Sequence, residues 1–226
     1  KNILAETLNG DEARYFELLK NWNLRNDVDS KGATIFVKTW DIFQDTVFSD
    51  EYANAPSVIM KPWASTLLEG VLKDSAFKFL DDVRTPIKET LADMTTVAFK
   101  KAVAVLLESE KAGKLDWGKY KDTRVNHLLQ KIAPFNRSHL PIGGGSNVIN
   151  ATRDNHGPSW RMVVSLTAKT EAYGVYPGGQ NGNPGSKFYD NFIDQWVAGK
   201  YYPLWMMTAD EQKDKRVHWV MHFSKS

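Results

Sequence analysis

The sequence predicts an α+β fold, a helical layer followed by a few antiparallel strands. Three observations carry that expectation. Apolar residues in the first half recur at helical spacing; near Pro134 the composition shifts towards Gly, Asn, Ser and Pro with short β-branched runs; and the last residues alternate with a period of two. The chain is expected to be one piece, residues 1–226, with a mainly helical part at 1–134 and a strand-rich part with one helix at 135–226.

Taken in order, Asn9-Gly-Asp-Glu12 opens a helical pattern that places Phe16, Leu19 and Trp22 on one side. Ile35, Phe36, Trp40, Phe43 and Val47 predict an amphipathic helix over about residues 34–48. Pro56 and Pro62 bracket a break, after which Leu67, Leu68, Val71 and Leu72 predict a short helix. Thr85-Pro86 precedes the longest element, expected over about residues 88–111, with Leu91, Met94, Ala98, Ala102, Val105 and Leu106 on one face. Gly113 is a natural stop because glycine accepts a left-handed cap. Beyond Pro134, Val148-Ile149 reads as extended. Residues 160–166 and 171–176 read as strands joined at Thr167-Ala-Lys-Thr170, and residues 188–197 return to helical spacing. Val217, Trp219, Met221 and Phe223 alternate with His218, Val220 and His222, which predicts a final strand. These strands are few and short for a sheet that stands alone.

Composition narrows the function classes. The 226 residues are 42% hydrophobic and 25% charged, which excludes disordered and collagen-like chains. No apolar run approaches the ~20 residues that span a bilayer, so no membrane partner is expected. Basic and acidic residues number 29 and 27 and form no blocks, so nucleic acid is not an expected partner. Without cysteine the chain can form neither disulfides nor thiolate sites. Lys1-Asn2-Ile-Leu-Ala-Glu6 turns acidic at once and does not read as a signal peptide, so any leader is expected elsewhere in the gene product or already removed. The eight tryptophans read as core and interface packing.

Motif by motif, the chemistry is spare. Gly143-Gly-Gly-Ser-Asn147 lacks the Lys and Ser/Thr of a phosphate-binding loop and reads as a loop that needs backbone freedom. His218 and His222 on a strand lie roughly 13 Å apart, too far for one metal ion. Asp154, His156 and Ser159 contain the residue types of a hydrolase triad. Such triads assemble from distant segments, so His156 and Ser159 read as turn residues beside Gly157-Pro158.

A set of segments in order over residues 140–202 goes further. These are Pro141-Ile-Gly-Gly-Gly145, Asn147-Val-Ile-Asn-Ala-Thr152, His156-Gly-Pro-Ser-Trp-Arg-Met162, Ala172-Tyr-Gly-Val-Tyr-Pro-Gly-Gly-Gln180, Gly182-Asn-Pro-Gly-Ser186 and Tyr189-Asp-Asn191. Together with the earlier Asp116-Trp-Gly-Lys-Tyr120, they make the chain resemble the C-terminal part of the β chain in the penicillin acylase family of N-terminal-nucleophile hydrolases. Asn181 stands where many relatives carry serine.

That resemblance implies a fragment of the αββα fold, in which helical layers sandwich two sheets. It implies an amidohydrolase made as a self-cleaving precursor, whose new N-terminal serine attacks linear amides with an apolar acyl group, such as β-lactam side-chain amides or acyl homoserine lactones. Lys1 occupies the first position here, so no catalytic residue is expected in this chain, and neither is a metal ligand or cofactor. The calcium often bound in the family is expected on segments outside it. Asn150, His156, Arg161 and Gln180 are the expected supporting residues, shaping loops around a site built elsewhere. The expected partner is the rest of the same enzyme, the α chain and the N-terminal part of the β chain, in a periplasmic or secreted setting. An exposed edge and apolar face would otherwise be masked by self-association. The competing expectation is a free-standing binding module that holds a glycan or protein through aromatics such as Trp205 and Trp219.

Overall fold

Helix α4, Leu91–Lys111, organises the helical region, and both its ends are explained by local chemistry. Thr90 accepts the Asp93 N–H while the Asp93 carboxylate accepts the Thr90 N–H, a reciprocal capping box. At the other end Gly113 adopts φ +70°. Its N–H donates to Glu110 O at 2.8 Å, and that of Lys114 donates to Ser109 O at 2.8 Å, the two bonds of a Schellman stop. The computed structural model describes residues 3–56, 60, 62–74 and 77–225. The expectation placed on Lys1 and Asn2 lies outside the described residues.

Before α4 come α1 (Gly10–Lys20), capped by Asn9 in a capping box with Glu12, α2 (Lys31–Val47), capped by Ser30, and α3 (Ala64–Lys73). The expected helices are all present, with α2 starting three residues earlier than its apolar stripe suggested. Trp117–Lys121 forms the short α5. Two apolar clusters hold this region together. Tyr15, Ile35, Phe99, Val103, Leu106 and Leu115 form one; Phe43, Val47, Phe48, Leu67, Leu80, Met94 and Ala98 form the other. Val105 is a correction: it is 47% exposed, because Tyr15 and Leu115 pack on Phe99, Val103 and Leu106 instead. Arg14 grips Glu110 with two bonds of 2.9 and 2.7 Å, and the Tyr15 hydroxyl donates to the same carboxylate at 2.9 Å.

Strands β1 (Thr123–Val125) and β2 (Arg137–Leu140) form a two-stranded sheet. A second sheet has the order β3–β4–β5, with β3 at Arg161–Ser165, β4 at Glu171–Val175 and β5 at Tyr202–Leu204. β3 and β4 run antiparallel with Arg161 opposite Val175 and Ser165 opposite Glu171, which is the expected hairpin. Helix α6 is Ile193–Val197, shorter than the expected 188–197. Residues 186–192 form turns instead, with Tyr189 N–H donating to Ser186 O and Phe192 N–H to Gly178 O. Two strand expectations fail. Val148-Ile149 lies in a turn, and residues 217–223 have no regular structure. Period-two alternation forms a strand only where a neighbour supplies the ladder, and these segments have none among the described residues.

The chain divides into two compact units: Lys1–Arg124 with Ser138–Asn155, and Val125–Arg137 with His156–Ser226. The first holds α1–α5 and both apolar clusters. The second holds the three-stranded sheet and α6.

Candidate functional site

In the first unit the most elaborate polar construction surrounds the triple-glycine loop. Gly144 has φ +87°, and a Cβ there would sit 2.1 Å from Asn150 O, so only glycine fits. Its N–H donates to Asn26 O at 2.8 Å, and that of Gly145 donates to Asn150 O at 3.1 Å. The Trp117 indole donates to Gly144 O at 2.6 Å. Gly143 O accepts from the Asn150 amide at 3.2 Å, from the Thr152 hydroxyl at 2.6 Å and from Lys121 Nζ at 2.9 Å. Lys121 also donates a short hydrogen bond to the Thr152 hydroxyl.

Lys121 was not among the expected site residues, yet its side chain is buried at the centre of this network. Burial lowers its pKa to about 8. Its ammonium lies 5.5 Å from the Trp117 ring centroid. The available signal was spacing: Trp117 and Lys121 are four residues apart on one short helix and so share a face. Asn150, which was expected, is part of the same clamp.

The other three expected residues belong to the second unit. Arg161 lies in β3; its Nη1 donates to Trp196 O at 2.6 Å and its guanidinium stacks 4.8 Å from the Trp196 ring. Burial holds that guanidinium below its ordinary pKa. The Trp196 indole in turn donates to Pro158 O at 3.0 Å and so anchors the His156-Gly-Pro-Ser159 turn. His156 itself is exposed. Gln180 and Asn191 exchange two bonds of 3.3 Å, one through the Gln180 N–H and one through its side-chain oxygen. Arg137 binds Asp190 and Asp194 at 2.6 and 2.7 Å, a link that sequence reasoning did not single out.

Among the described residues no three His, Cys, Asp or Glu side chains gather to hold a metal ion. In the first unit His139 and Asp122 face each other at 2.7 Å beside a cleft of about 350 Å³. Both have left-handed backbones, φ +57° and +52°. Asp154 pairs with Arg124, and Ser159 is exposed. Of the exposed aromatics, Trp205 is covered on one face by the Arg216 guanidinium at 3.9 Å, while Trp219 is 94% exposed. No helix among the described residues is long and apolar enough to cross a membrane.

The geometry therefore builds shaped, braced loops. A profile of the penicillin amidase family matches residues 2–213. The acyl-homoserine lactone acylase QuiP of Pseudomonas syringae pv. tomato is 31% identical over 152 residues, covering 60% of this chain and 18% of that protein. Its namesake from Pseudomonas aeruginosa is 27% identical over 150 residues, covering 54% and 18%. Among solved structures, the thermostable penicillin G acylase from Alcaligenes faecalis aligns with a TM-score of 0.55 at 14% identity, covering 99% of this chain and 45% of that one. That likeness is one of fold: helices and small antiparallel sheets arranged as in part of a penicillin acylase, the N-terminal-nucleophile hydrolase fold expected above. The chain spans about a fifth of the length of these curated relatives.

Proposed function

This chain belongs to the penicillin amidase family, a family of amidohydrolases, and from that premise we propose that it is the C-terminal structural segment of an acylase. The whole enzyme would hydrolyse linear amides with an apolar acyl arm, acyl homoserine lactones or β-lactam side-chain amides, in the periplasm or outside the cell. The observation that carries this reading is the pairing of a family match over residues 2–213 with coverage of only 18% of the relatives' length. The relatives named as acyl-homoserine lactone acylases support the first substrate class.

In this reading the nucleophile is a serine at the N-terminus of the β chain, outside this segment. Its own α-amino group takes the hydroxyl proton, and an acyl-enzyme divides amide hydrolysis into two easier steps. This chain's residues act by shape. Lys121, Asn150 and Thr152 clamp the carbonyl of Gly143. Arg161 ties β3 to the end of α6 through Trp196 O. Gln180 and Asn191 fix the glycine-rich loop after β4. Calcium, where the enzyme uses it, is held by other segments.

The test is intact mass and N-terminal sequencing of the gene product from its natural source, with turnover of a phenylacetyl amide and an acyl homoserine lactone. The expected result is a longer enzyme of two chains, one beginning with serine, that hydrolyses at least one of these amides. Turnover that follows the 226-residue chain through purification would overturn the reading.

A further inference from the structure

We infer that Asn181 is a self-modification site, at which the backbone nitrogen of Gly182 closes on the Asn181 side chain, ammonia leaves, and water opens the imide so formed to a carboxylate. The inference concerns this loop alone and does not depend on which reaction the longer enzyme catalyses.

An asparagine loses its amide by this route when two conditions meet. Its side-chain carbon Cγ must lie beside the nitrogen of the next residue, and that nitrogen must carry a hydrogen and be open to approach. An Asx turn meets the first condition. A side-chain oxygen bonded to the N–H two residues on folds Cγ back towards the N–H between them. Glycine meets the second, because it has no Cβ.

Asn23, Asn181 and Asn183 each make such a turn. Their side-chain oxygens accept the N–H groups of Arg25 at 3.0 Å, Asn183 at 2.8 Å and Gly185 at 2.9 Å. The residue in between decides the outcome. After Asn23 it is Leu24, whose side chain obstructs the approach. After Asn183 it is Pro184, whose ring nitrogen has no hydrogen to give up. After Asn181 it is Gly182, where a Cβ would meet no atom within 4 Å. The Gly182 N–H donates to no protein oxygen among the described residues.

The sequence contains a second Asn-Gly pair, Asn9-Gly10, and the fold withholds it. Asn9 caps α1. Its side-chain oxygen accepts the Glu12 N–H at 3.0 Å, its own N–H donates to the Glu12 carboxylate at 2.8 Å, and its carbonyl accepts the Ala13 N–H at 2.8 Å. Closing the imide there would undo the cap and build negative charge beside Glu12. Asn181 lies exposed on a loop, with its N–H on Phe188 O at 3.1 Å.

The step balances without oxidant or reductant. The Gly182 nitrogen gives its proton to hydroxide and attacks Cγ. Negative charge gathers on Asn181 Oδ1, where the Asn183 N–H already donates. The Cγ–Nδ2 bond breaks, and that nitrogen takes a proton from water and departs as ammonia. Water then adds to the imide. Opening at Cγ gives aspartate; opening at the main-chain carbonyl gives an iso-aspartyl link, one methylene longer, between residues 181 and 182. Either product places a new negative charge next to the Gln180–Asn191 bonds that hold this loop.

Peptide mapping by mass spectrometry, on the full-length gene product aged in mildly alkaline buffer, tests this. Conversion of amide to acid is expected at least ~10-fold faster at Asn181 than at Asn9, Asn23 or Asn183, with iso-aspartyl as well as aspartyl product. Gly182→Ala supplies the second measurement. Its Cβ fits the open space, so the fold is kept, and conversion at Asn181 should slow by about tenfold or more. Conversion at Asn9 as fast as at Asn181, an aspartyl product alone, or a rate unchanged by Gly182→Ala would each overturn the inference. So would an Asn181 that stays intact.

Discussion

The helical cluster around Phe99 and the sheet strand β3 are both apolar, but only the first is closed. Tyr15, Ile35, Phe99 and Leu106 are fully buried, and the helices that carry them are capped by Asn9, Ser30 and Thr90. Met162 and Val163 are more than half exposed on a strand that, among the described residues, pairs along one edge only. One region satisfies its apolar surface and its backbone from within the chain. The other carries the same kinds of residue with about half of their surface left exposed. The difference teaches that closure is divided unevenly along this polypeptide: the first region buries its apolar side chains within its own helices, whereas β3 leaves about half of its own exposed.

The largest expected effect breaks the closed region. Phe99→Ala removes a fully buried ring and is expected to cost about 3–5 kcal/mol in urea unfolding. A cost below 1 kcal/mol would mean that the cluster is not a closed core.

Next is the pH dependence of the Lys121 clamp. Its folded pKa, about 8, lies below the unfolded value of 10.5, so between those values the unfolded chain binds more protons. Stability then rises as pH increases from 8 to 10.5, by up to about 3 kcal/mol. Below pH 8 the penalty of burying the ammonium is fully present. Denaturation of wild type and Lys121→Met across this range checks it, and the rise should vanish in the variant. An equal rise in both proteins would assign it to other groups.

Gly144→Ala tests the loop that the clamp holds. With φ +87° and Asn150 O in the way of any Cβ, the substitution is expected to cost roughly 1–3 kcal/mol. It should also release the Trp117 indole from Gly144 O, visible as a shift of its indole N–H resonance. An unchanged resonance would mean that the loop tolerates a side chain.

The smallest effect sharpens the contrast. Val163→Ala in the chain by itself is expected within about 0.5 kcal/mol of wild type, as for other exposed positions. The same substitution in the full-length gene product should cost about 1 kcal/mol or more if β3 is covered there. Equal small values in both would return β3 to the surface.

Much of the fold was legible because it is written in short-range patterns. Helix α4 announces itself through an apolar stripe and a glycine stop, while the Thr90–Asp93 box sets its start at Leu91 and not near residue 88. The β3–β4 hairpin follows from two β-rich runs around a polar connection. The same logic overreached at residues 217–223, where alternation exists without a pairing neighbour. Of the supporting residues, Asn150, Arg161 and Gln180 make specific bonds, while His156 lies exposed on a turn anchored through Pro158.

By itself the sequence determined the α+β class, the presence of the long helices, the hairpin and membership of the penicillin amidase family, because those depend on neighbours a few positions apart or on segments kept in order. Only the tertiary structure decided that Lys121 is buried on Gly143 and Thr152, which lie 22 and 31 residues away, and that among the described residues β3 pairs with β4 alone. Burial is a property of what the rest of the chain places over a residue, and no local pattern records it.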